Sequence, residues 1–188
     1  MKLIKRTLLI FLLIVSGISA YCQKNISVTV LNESISFPFT RFTPMHPGIE
    51  IGTNLFHSEK LNKSYEVNAY IGGYHHESIS NAFYLKGEYV YHIAAWEKLS
   101  CDLLAGLGYQ HSFYPGELYS PKENGDYDAT KQKGKPHAIA NIGIGSTYRR
   151  WKTIEPFVKY EFMVESPFAN GIPVIPHTIF KLGFNFKF

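Results

Sequence analysis

The chain has 188 residues, a formal net charge of +4 and two cysteines. This length suits one domain, and the modest charge, with no cluster of Lys and Arg, excludes nucleic acid as an expected partner. No run of 18 apolar residues follows the N-terminal region, which excludes a protein that spans membranes with helices. The chain is rich in aromatic residues, with 13 Tyr and 14 Phe, and its many short alternating segments favour strands.

The first 22 residues have the layout of a secretory signal peptide. Basic residues within the first six positions precede the apolar run Leu8 to Val15, which is too short to span a bilayer. We expect cleavage after Cys22, so that residues 23–188 form the mature domain. A lipidated Cys22 is the alternative, which the bulky Tyr21 before it disfavours.

Seven segments of the mature chain alternate between apolar and polar residues and are predicted as strands. They are Ile26–Leu31, Gly48–Phe56, Tyr65–Tyr74, Phe83–Ala95, Ser100–Phe113, Ala138–Arg149 and Glu155–Glu165. Segments rich in Pro, Gly and polar residues separate them. In the second strand, for example, Ile49, Ile51 and Leu55 are predicted to face outward.

The polar faces of these strands carry nearly balanced charges. Their charged residues are Glu50, Glu66, Glu88, Asp102, Glu161 and Glu165, with Lys86, Arg149, Lys159, Lys181 and Lys187. If these faces line the lumen of a small barrel, there is room for side chains and little else. We therefore expect ion pairs that fill the lumen, with Glu66 near His92 and Glu161 near Lys181. A narrow conducting pore is the alternative.

The last nine residues form an eighth predicted strand with two unlike faces. The apolar face is Phe180, Leu182, Phe184, Phe186 and Phe188. The opposite face is Lys181, Gly183, Asn185 and Lys187. A strand that crosses lipid needs an apolar outer face over about 9 to 11 residues, so this segment favours a transmembrane barrel.

The same segment resembles the C-terminal insertion signal of Gram-negative outer-membrane barrels. In that signal a polar residue is followed by Gly two positions later, and by hydrophobic residues three and five positions after the Gly. Lys181, Gly183, Phe186 and Phe188 fill the pattern. The chain thus resembles the small OmpA-like barrels. The resemblance implies an all-β, eight-stranded antiparallel up-and-down transmembrane β-barrel in the cell outer membrane.

That resemblance also implies both termini in the periplasm, with outer-membrane lipid and the barrel-assembly machinery as partners. The loop lengths agree with this orientation, because long connections fall on the side expected to be extracellular. The long connections are Asn32–Pro47, Tyr114–Pro136 and Ser166–Pro176. Their aromatic residues are expected to contact a ligand or a larger membrane complex. The candidates are Phe39, Phe42, Tyr114, Tyr119 and Phe168.

Six of the eight histidines map to the predicted extracellular end of the barrel. Imidazole is a common ligand of transition metals, so four of them are candidates for a ligand or divalent-metal site. These are His75, His76, His137 and His177. No other cofactor is expected. Histidines hydrogen-bonded to loops at the lipid headgroups are the alternative.

Lipid A deacylases of the outer membrane are also eight-stranded barrels, and they use a His and a Ser two positions apart on the lipid-facing side. Here His111 and Ser112 are adjacent, so on a regular strand they face opposite ways. We therefore expect no enzymatic activity, with a lipid-modifying hydrolase as the alternative function.

Overall fold

The computed structural model describes residues 25–36, 42–60, 63–76, 80–114, 118–121, 126–130, 134–167 and 172–188. The strands are β1 (Asn25–Ser34), β2 (Pro47–Lys60), β3 (Lys63–His75), β4 (Asn81–Trp96), β5 (Leu99–Phe113), β6 (Leu118–Pro121), β7 (Tyr127–Thr130), β8 (Lys135–Tyr148), β9 (Ile154–Ser166) and β10 (Ile175–Lys187). The predicted signal peptide, residues 1–22, lies outside the described residues, so its cleavage stays a prediction.

Eight of these strands close into one antiparallel barrel, in which β1 pairs with both β2 and β10. Apart from the β1–β10 pairing that closes the barrel, neighbours in the barrel are also neighbours along the chain, except that β5 pairs with β8 and leaves out the small hairpin β6–β7. The predicted eight-stranded up-and-down barrel is confirmed. Among the described residues, no helix has the length and apolar character needed to cross a bilayer.

Side chains alternate between the two faces of the barrel wall, as the sequence predicts. Outward-facing aliphatic residues are exposed, such as Leu107 at 71 %, whereas the inward-facing Lys181 is 0 % exposed. An exterior of aliphatic and aromatic side chains around a charged interior is the reverse of a water-soluble barrel. This arrangement fits a wall that is surrounded by lipid.

The strands extend further than predicted. β1 continues past Leu31 to Ser34, and β10 begins at Ile175 rather than Phe180. Pro47, Pro136 and Pro176, which were predicted in loops, each occupy the first or second position of a strand. A missing N–H disrupts little of the ladder there, which explains why the prolines do not end the pairing earlier.

A β-bulge in β2 changes which residues face the lumen. The register shifts between Asn54 and Phe56, so Phe56 is exposed on the outer face in place of the predicted Leu55, which is half-buried. The extra residue also turns the next side chain inward. His57 therefore lies in the lumen, with its Nδ1 3.2 Å from Glu66 Oε1.

Glycines on the inner wall leave space for the large side chains of the lumen. A Cβ added at Gly52 would overlap the ring of Tyr70. Cβ atoms at Gly143 and Gly145 would lie 3.0 Å from the Cγ atoms of Glu161 and Lys159 respectively. Small residues opposite large ones let the narrow lumen fill completely.

The two ends of the barrel differ. Connections 35–46, 76–80, 114–134 and 167–174 meet at one end, called here the loop end. The opposite end, called the turn end, holds the connections 61–62, 97–98 and 149–153. The first residue of β1, Asn25, pairs with the last residue of β10, Lys187, and both lie at the turn end.

Candidate functional site in the barrel lumen

The middle of the lumen joins three lysines to three glutamates. Lys86 is at its centre, with its Nζ 2.7 Å from Glu88 Oε2, 2.9 Å from Glu161 Oε2 and 3.6 Å from Glu50 Oε2. These carboxylates come from three different strands, β2, β4 and β9. Lys86 thus ties together parts of the wall that do not pair with one another.

The other two lysines complete this network. Lys181 Nζ lies 2.7 Å from Glu50 Oε2 and 2.9 Å from Glu161 Oε1, which brings together the predicted pair of Lys181 and Glu161. Lys159 Nζ lies 2.9 Å from Glu88 Oε1. All six side chains are at most 7 % exposed, so three positive and three negative charges balance in a buried interior.

Neutral polar groups satisfy much of the remaining hydrogen-bonding capacity of this network. The Tyr84 hydroxyl donates to Glu50 Oε2 at 2.8 Å, and Lys159 Nζ donates to the Tyr70 hydroxyl at 3.1 Å. The side-chain amide of Asn141 donates to Glu88 at 3.1 Å. Buried charges are tolerated when their hydrogen bonds are met in this way.

A second charged layer lies nearer the turn end. His92 bridges two carboxylates, with Nδ1 2.6 Å from Asp102 Oδ1 and Nε2 3.5 Å from Glu66 Oε2. The hydroxyls of Ser100 and Thr147 also donate to Asp102, at 2.7 and 2.6 Å. The predicted proximity of Glu66 and His92 is therefore present.

Arg149, another predicted lumen charge, lies at the rim of the turn end. Its Nη1 donates to the Ser64 hydroxyl at 3.2 Å. Lys187 pairs with Glu155 at the same end, where the lysine side chain is 37 % exposed. The Lys187 side chain is thus more exposed than the lysines of the middle network.

An apolar layer crosses the lumen on the loop side of the middle network. It consists of Leu31, Tyr74, Ala82, Tyr84, Ile139, Met163 and Ile179, which are each at most 5 % exposed. The two tyrosine hydroxyls are hydrogen-bonded, Tyr84 to Glu50 and Tyr74 to Gln110. On the inward face of β9, Met163 lies between Glu161 and Glu165. On the inward face of β10, Ile179 lies between His177 and Lys181. This layer was not predicted from the sequence, although alternation along a longer β10 would have turned Ile179 inward.

Above the apolar layer, histidines and two carboxylates fill the loop end. His177 Nδ1 lies 2.7 Å from Glu33 Oε1, and its Nε2 lies 3.2 Å from Glu165 Oε2. His137 Nδ1 lies 3.1 Å from Glu165 Oε1 and donates to the Pro167 carbonyl at 2.6 Å. His177 thus connects the two buried carboxylates.

His46 and His76 stack beside this chain of contacts, with ring centroids 3.6 Å apart and planes 17° apart. His46 Nδ1 donates to the Glu33 carbonyl oxygen at 3.0 Å. The backbone N–H of His76 donates to the Ser80 carbonyl at 3.1 Å. Burial lowers the pKa of His76, which favours its neutral imidazole form.

The four predicted histidine candidates do not all converge. His76, His137 and His177 lie in the loop-end group, whereas His75 is exposed on the outer wall and hydrogen-bonds to Asn81. Consecutive residues at a strand end face opposite ways, which separates His75 from His76. Glu33 was not a candidate because it was assigned to a loop; the longer β1 turns it into the lumen.

Two of the predicted contact aromatics are described with their side chains. Phe42 packs edge-on against Phe180, with ring centroids 5.6 Å apart. Together with Met45 they border an apolar groove of about 1220 Å³ on the outer wall. The Tyr114 hydroxyl lies 3.4 Å from His137 Nε2. The positions or side chains of the other three, Phe39, Tyr119 and Phe168, lie outside the described part.

His111 and Ser112 face opposite sides of the wall, as the sequence indicates. The Tyr109 hydroxyl lies 2.9 Å from His111 Nδ1. Ser112 is fully buried on the lumen side, where Gln110 Nε2 donates to its hydroxyl at 3.0 Å. The geometry therefore does not assemble a nucleophile and a base from this pair.

The residues of the insertion signal occupy the second half of β10 and the residue after it. Lys181 and Gly183 are buried on the lumen side, and Phe186 is half-buried. Phe188 follows the last paired residue, Lys187, and is 81 % exposed. The aromatic terminus therefore contributes little to packing within the chain.

A closed antiparallel barrel of eight strands, with an apolar wall and a charged lumen, defines the class of small outer-membrane β-barrels. Solved structures of this class resemble the chain. Neisserial surface protein A superposes with a TM-score of 0.55 at 10 % identity, over 88 % of this chain and 96 % of that chain. The outer membrane enzyme PagL superposes with a TM-score of 0.50 at 11 % identity, over 87 % and 99 %.

The N-terminal β-barrel domain of Pseudomonas aeruginosa OprF gives a TM-score of 0.49 at 15 % identity, over 88 % of this chain and 99 % of that domain. No protein-family model and no curated protein matches the sequence. At these identities the similarity is one of fold. The function must therefore be argued from the residues of this chain.

Proposed function

We propose that this protein is an outer-membrane barrel with a sealed lumen, whose loop end is extracellular and binds a ligand or attaches to a larger membrane complex. The observation that carries the proposal is the closure of the lumen by two successive layers, the paired lysines and glutamates and the apolar layer beyond them. In this proposal the barrel is a rigid support and its loop end makes the contacts.

The energetics support a sealed lumen. An eight-stranded barrel has an interior just wide enough for side chains. An ion that crossed this one would have to separate buried pairs, and the penalty for an uncompensated buried charge is several kcal/mol. It would then meet Met163 and Ile179, which offer no polar contact. A pore would instead need hydrated charges along its path.

The unequal ends support the orientation. Outer-membrane barrels have longer loops outside the cell and short turns in the periplasm. The connections 35–46 and 114–134 belong to the loop end, and 61–62 and 97–98 to the turn end. With this orientation both termini lie in the periplasm, where the assembly machinery would meet the C-terminal signal ending in Phe188.

Exposed apolar side chains near the loop end favour contact with another membrane protein along the outer wall. Phe42 and Met45 are both exposed beside the outer groove. Aromatic residues and methionine are enriched where proteins contact one another. The opposite faces of His111 and Ser112 give no support to the hydrolase alternative, so we propose a non-enzymatic role.

Planar-bilayer recordings test the sealed lumen. Purified, refolded protein should add no steady ion current, because its charges are paired and its apolar layer is continuous. Folding is verified on unheated gels, where folded barrels migrate differently from heated ones. Stable current steps whose ion selectivity changes in Lys181→Met would contradict the proposal and establish a pore.

Capture of partners from native outer membranes tests the contact surface. A variant with Phe42→Ser and Met45→Ser should recover less of any partner that the unchanged barrel retains. Trp96→Ser, at the turn end, is the matched control because it also removes an exposed apolar side chain. Equal recovery with both variants would count against the loop end as the contact surface.

A further inference from the structure

We propose that Glu33, His46 and His76 bind one divalent transition-metal ion, such as Zn²⁺, at the loop end. The inference deepens the proposed function by naming the class of ligand, and it rests on that function only in placing this end outside the cell. From the sequence, His46 and His76 were grouped with four other histidines at this end, and Glu33 was not included, because it was assigned to a loop; the three come from β1, from the connection before β2 and from the connection after β3.

The donor set has the chemistry of a zinc site. One ligand atom from each residue can be chosen so that all three lie within 4.8 Å of one another. Two imidazole nitrogens with one carboxylate oxygen are a common zinc-binding set, and three protein ligands leave a fourth position open. Glu33 is 0 % exposed and the two histidines are each 8 % exposed, so the site is enclosed.

Two donor atoms in this cluster have no hydrogen-bond partner among the described residues. Glu33 Oε1 is engaged by His177 at 2.7 Å, whereas Glu33 Oε2 is buried without a hydrogen bond and lies 3.8 Å from His46 Nδ1. His76 Nδ1 is likewise buried and without a hydrogen bond. Unsatisfied buried acceptors are costly, and a metal ion would coordinate both atoms.

The surrounding contacts are those that orient metal ligands. His46 Nδ1 donates to the Glu33 carbonyl, which leaves the lone pair on Nε2. His177 holds the Glu33 carboxylate through Oε1 and is itself positioned by Glu165, 3.2 Å from its Nε2. Metal ligands are typically oriented by a hydrogen bond or ion pair to a carbonyl or charged group that does not itself bind the metal.

The stacked rings imply one movement on binding. Parallel rings place their nitrogen lone pairs side by side, so His46 and His76 cannot both aim at one ion in this arrangement. The His76 ring must turn out of the stack toward Glu33 Oε2. Because residue 76 follows the last residue of β3, this turn needs no change in the barrel ladder.

The lumen restricts where the ion can come from and what it can do. The apolar layer separates this cluster from the middle network, so the ion reaches it from the loop end. A bound ion would link His46, just before β2, to His76, just after β3. Its open coordination position would accept water or a donor group from a partner outside the cell.

Metal titration of the folded protein in detergent tests the site. After treatment with a chelator, calorimetry with Zn²⁺ should give one ion per chain. His46→Gln and His76→Gln should each weaken binding by about tenfold or more, since each removes a ligand. His75→Gln is the matched control, because His75 neighbours His76 in sequence but lies on the outer wall. It should bind as the unchanged protein does.

Electron paramagnetic resonance of the Cu²⁺-loaded protein reports which nitrogen atoms bind the ion. If His76 only stabilised the fold, its replacement would not change the number of coupled nitrogens. The spectrum should show coupling to two imidazole nitrogens, reduced to one in His76→Gln. The glutamine variants keep a polar side chain of similar size, and gel mobility verifies that each folds. Glu33→Gln is a supplementary variant, because it also disturbs His177.

Three results would overturn the inference: no binding at millimolar Zn²⁺, equal loss in His75→Gln and His76→Gln, or unchanged binding in a folded double variant of His46 and His76. A barrel that binds no metal and carries no current would overturn this inference and leave the sealed lumen standing. A barrel that binds one ion and conducts would overturn the sealed lumen alone.

Discussion

Lys181 and Lys159 are directly paired across β10 and β9, so two like charges stand side by side on the lumen wall. Their ammonium groups reach different carboxylates. Lys159 contacts Glu88, while Lys181 contacts Glu50 and Glu161. The repulsion between neighbours is thus offset by these contacts, and two of them, Lys159 with Glu88 and Lys181 with Glu50, join strands that do not pair with each other. Removal of either lysine leaves buried carboxylates with too little positive charge.

Lys181→Met is therefore expected to destabilise the folded barrel by about 3 to 5 kcal/mol, because it leaves uncompensated charge in the middle layer. Denaturant unfolding in lipid vesicles measures the change. Adding Glu161→Gln to this variant should restore part of the loss, because it removes one of the two carboxylates that lose Lys181 and must then share Lys86. Glu50 would still lack its 2.7 Å contact with Lys181, so the recovery should be partial.

Lys187→Met is the matched control for this prediction. Lys187 also pairs with a glutamate, Glu155, but its side chain is 37 % exposed at the turn end. Exposed pairs contribute about 0 to 1 kcal/mol, and because Lys187 is exposed while Glu155 is only 7 % exposed, this variant should cost clearly less than Lys181→Met. Equal losses in Lys181→Met and Lys187→Met would contradict the buried network as the source of stability.

A second prediction concerns the room that glycines on the inner wall leave for neighbouring side chains. Gly52→Ala should destabilise the barrel by about 1 to 3 kcal/mol, because the new methyl group overlaps the Tyr70 ring and the surrounding lumen is filled. Gly87→Ala is the control: a Cβ there has no heavy atom within 4 Å. Unfolding in denaturant should show a loss for the first variant and none for the second. The reverse order would mean that Tyr70 has room to move.

Much of this architecture follows from alternation alone. The faces of Leu85, Lys86, Lys181 and Leu182 were predicted correctly because a strand repeats every two residues. The strand count follows from the same pattern. Alternation also brings Lys181 and Glu161 to the same side of the wall, where the structure joins them.

Other features depend on three-dimensional context that a pattern does not carry. The bulge at Asn54 and Phe56 inserts one residue and reverses the faces beyond it, so the sequence placed Leu55 outward and gave no lumen role to His57. The pairing of Glu33 with His177 depends on where β1 and β10 end. Because of nearby prolines, β1 was predicted to end before its observed end at Ser34, and β10 was predicted to begin after its observed start at Ile175.

A third prediction concerns the turn-end layer. Asp102→Asn should destabilise the barrel by about 1 to 3 kcal/mol, because its carboxylate is buried and accepts hydrogen bonds from His92, Ser100 and Thr147. Glu66→Gln should cost less, since the Glu66 side chain is 15 % exposed and water can replace part of what is lost. Paired unfolding curves compare the two variants. A larger loss for Glu66→Gln would show that His92 depends mainly on Glu66.

The last prediction separates the signal at the C-terminus from the stability of β10. Phe188 is 81 % exposed and lies beyond the paired part of the strand, so its deletion should leave refolding in detergent unchanged. If the assembly machinery recognises the aromatic terminus, the same deletion should strongly reduce folded barrel in the outer membranes of cells. Heat-dependent gel mobility measures both.

Gly183→Val is the contrasting variant, because it should fail in both settings. A Cβ at Gly183 would lie 2.7 Å from the Val28 carbonyl oxygen and against the Phe157 ring, so the added side chain disturbs the wall itself. Normal yield in cells after deletion of Phe188 would refute its role as a signal. Failure of the same variant to refold in detergent would instead assign Phe188 to stability, and the two variants together distinguish these outcomes.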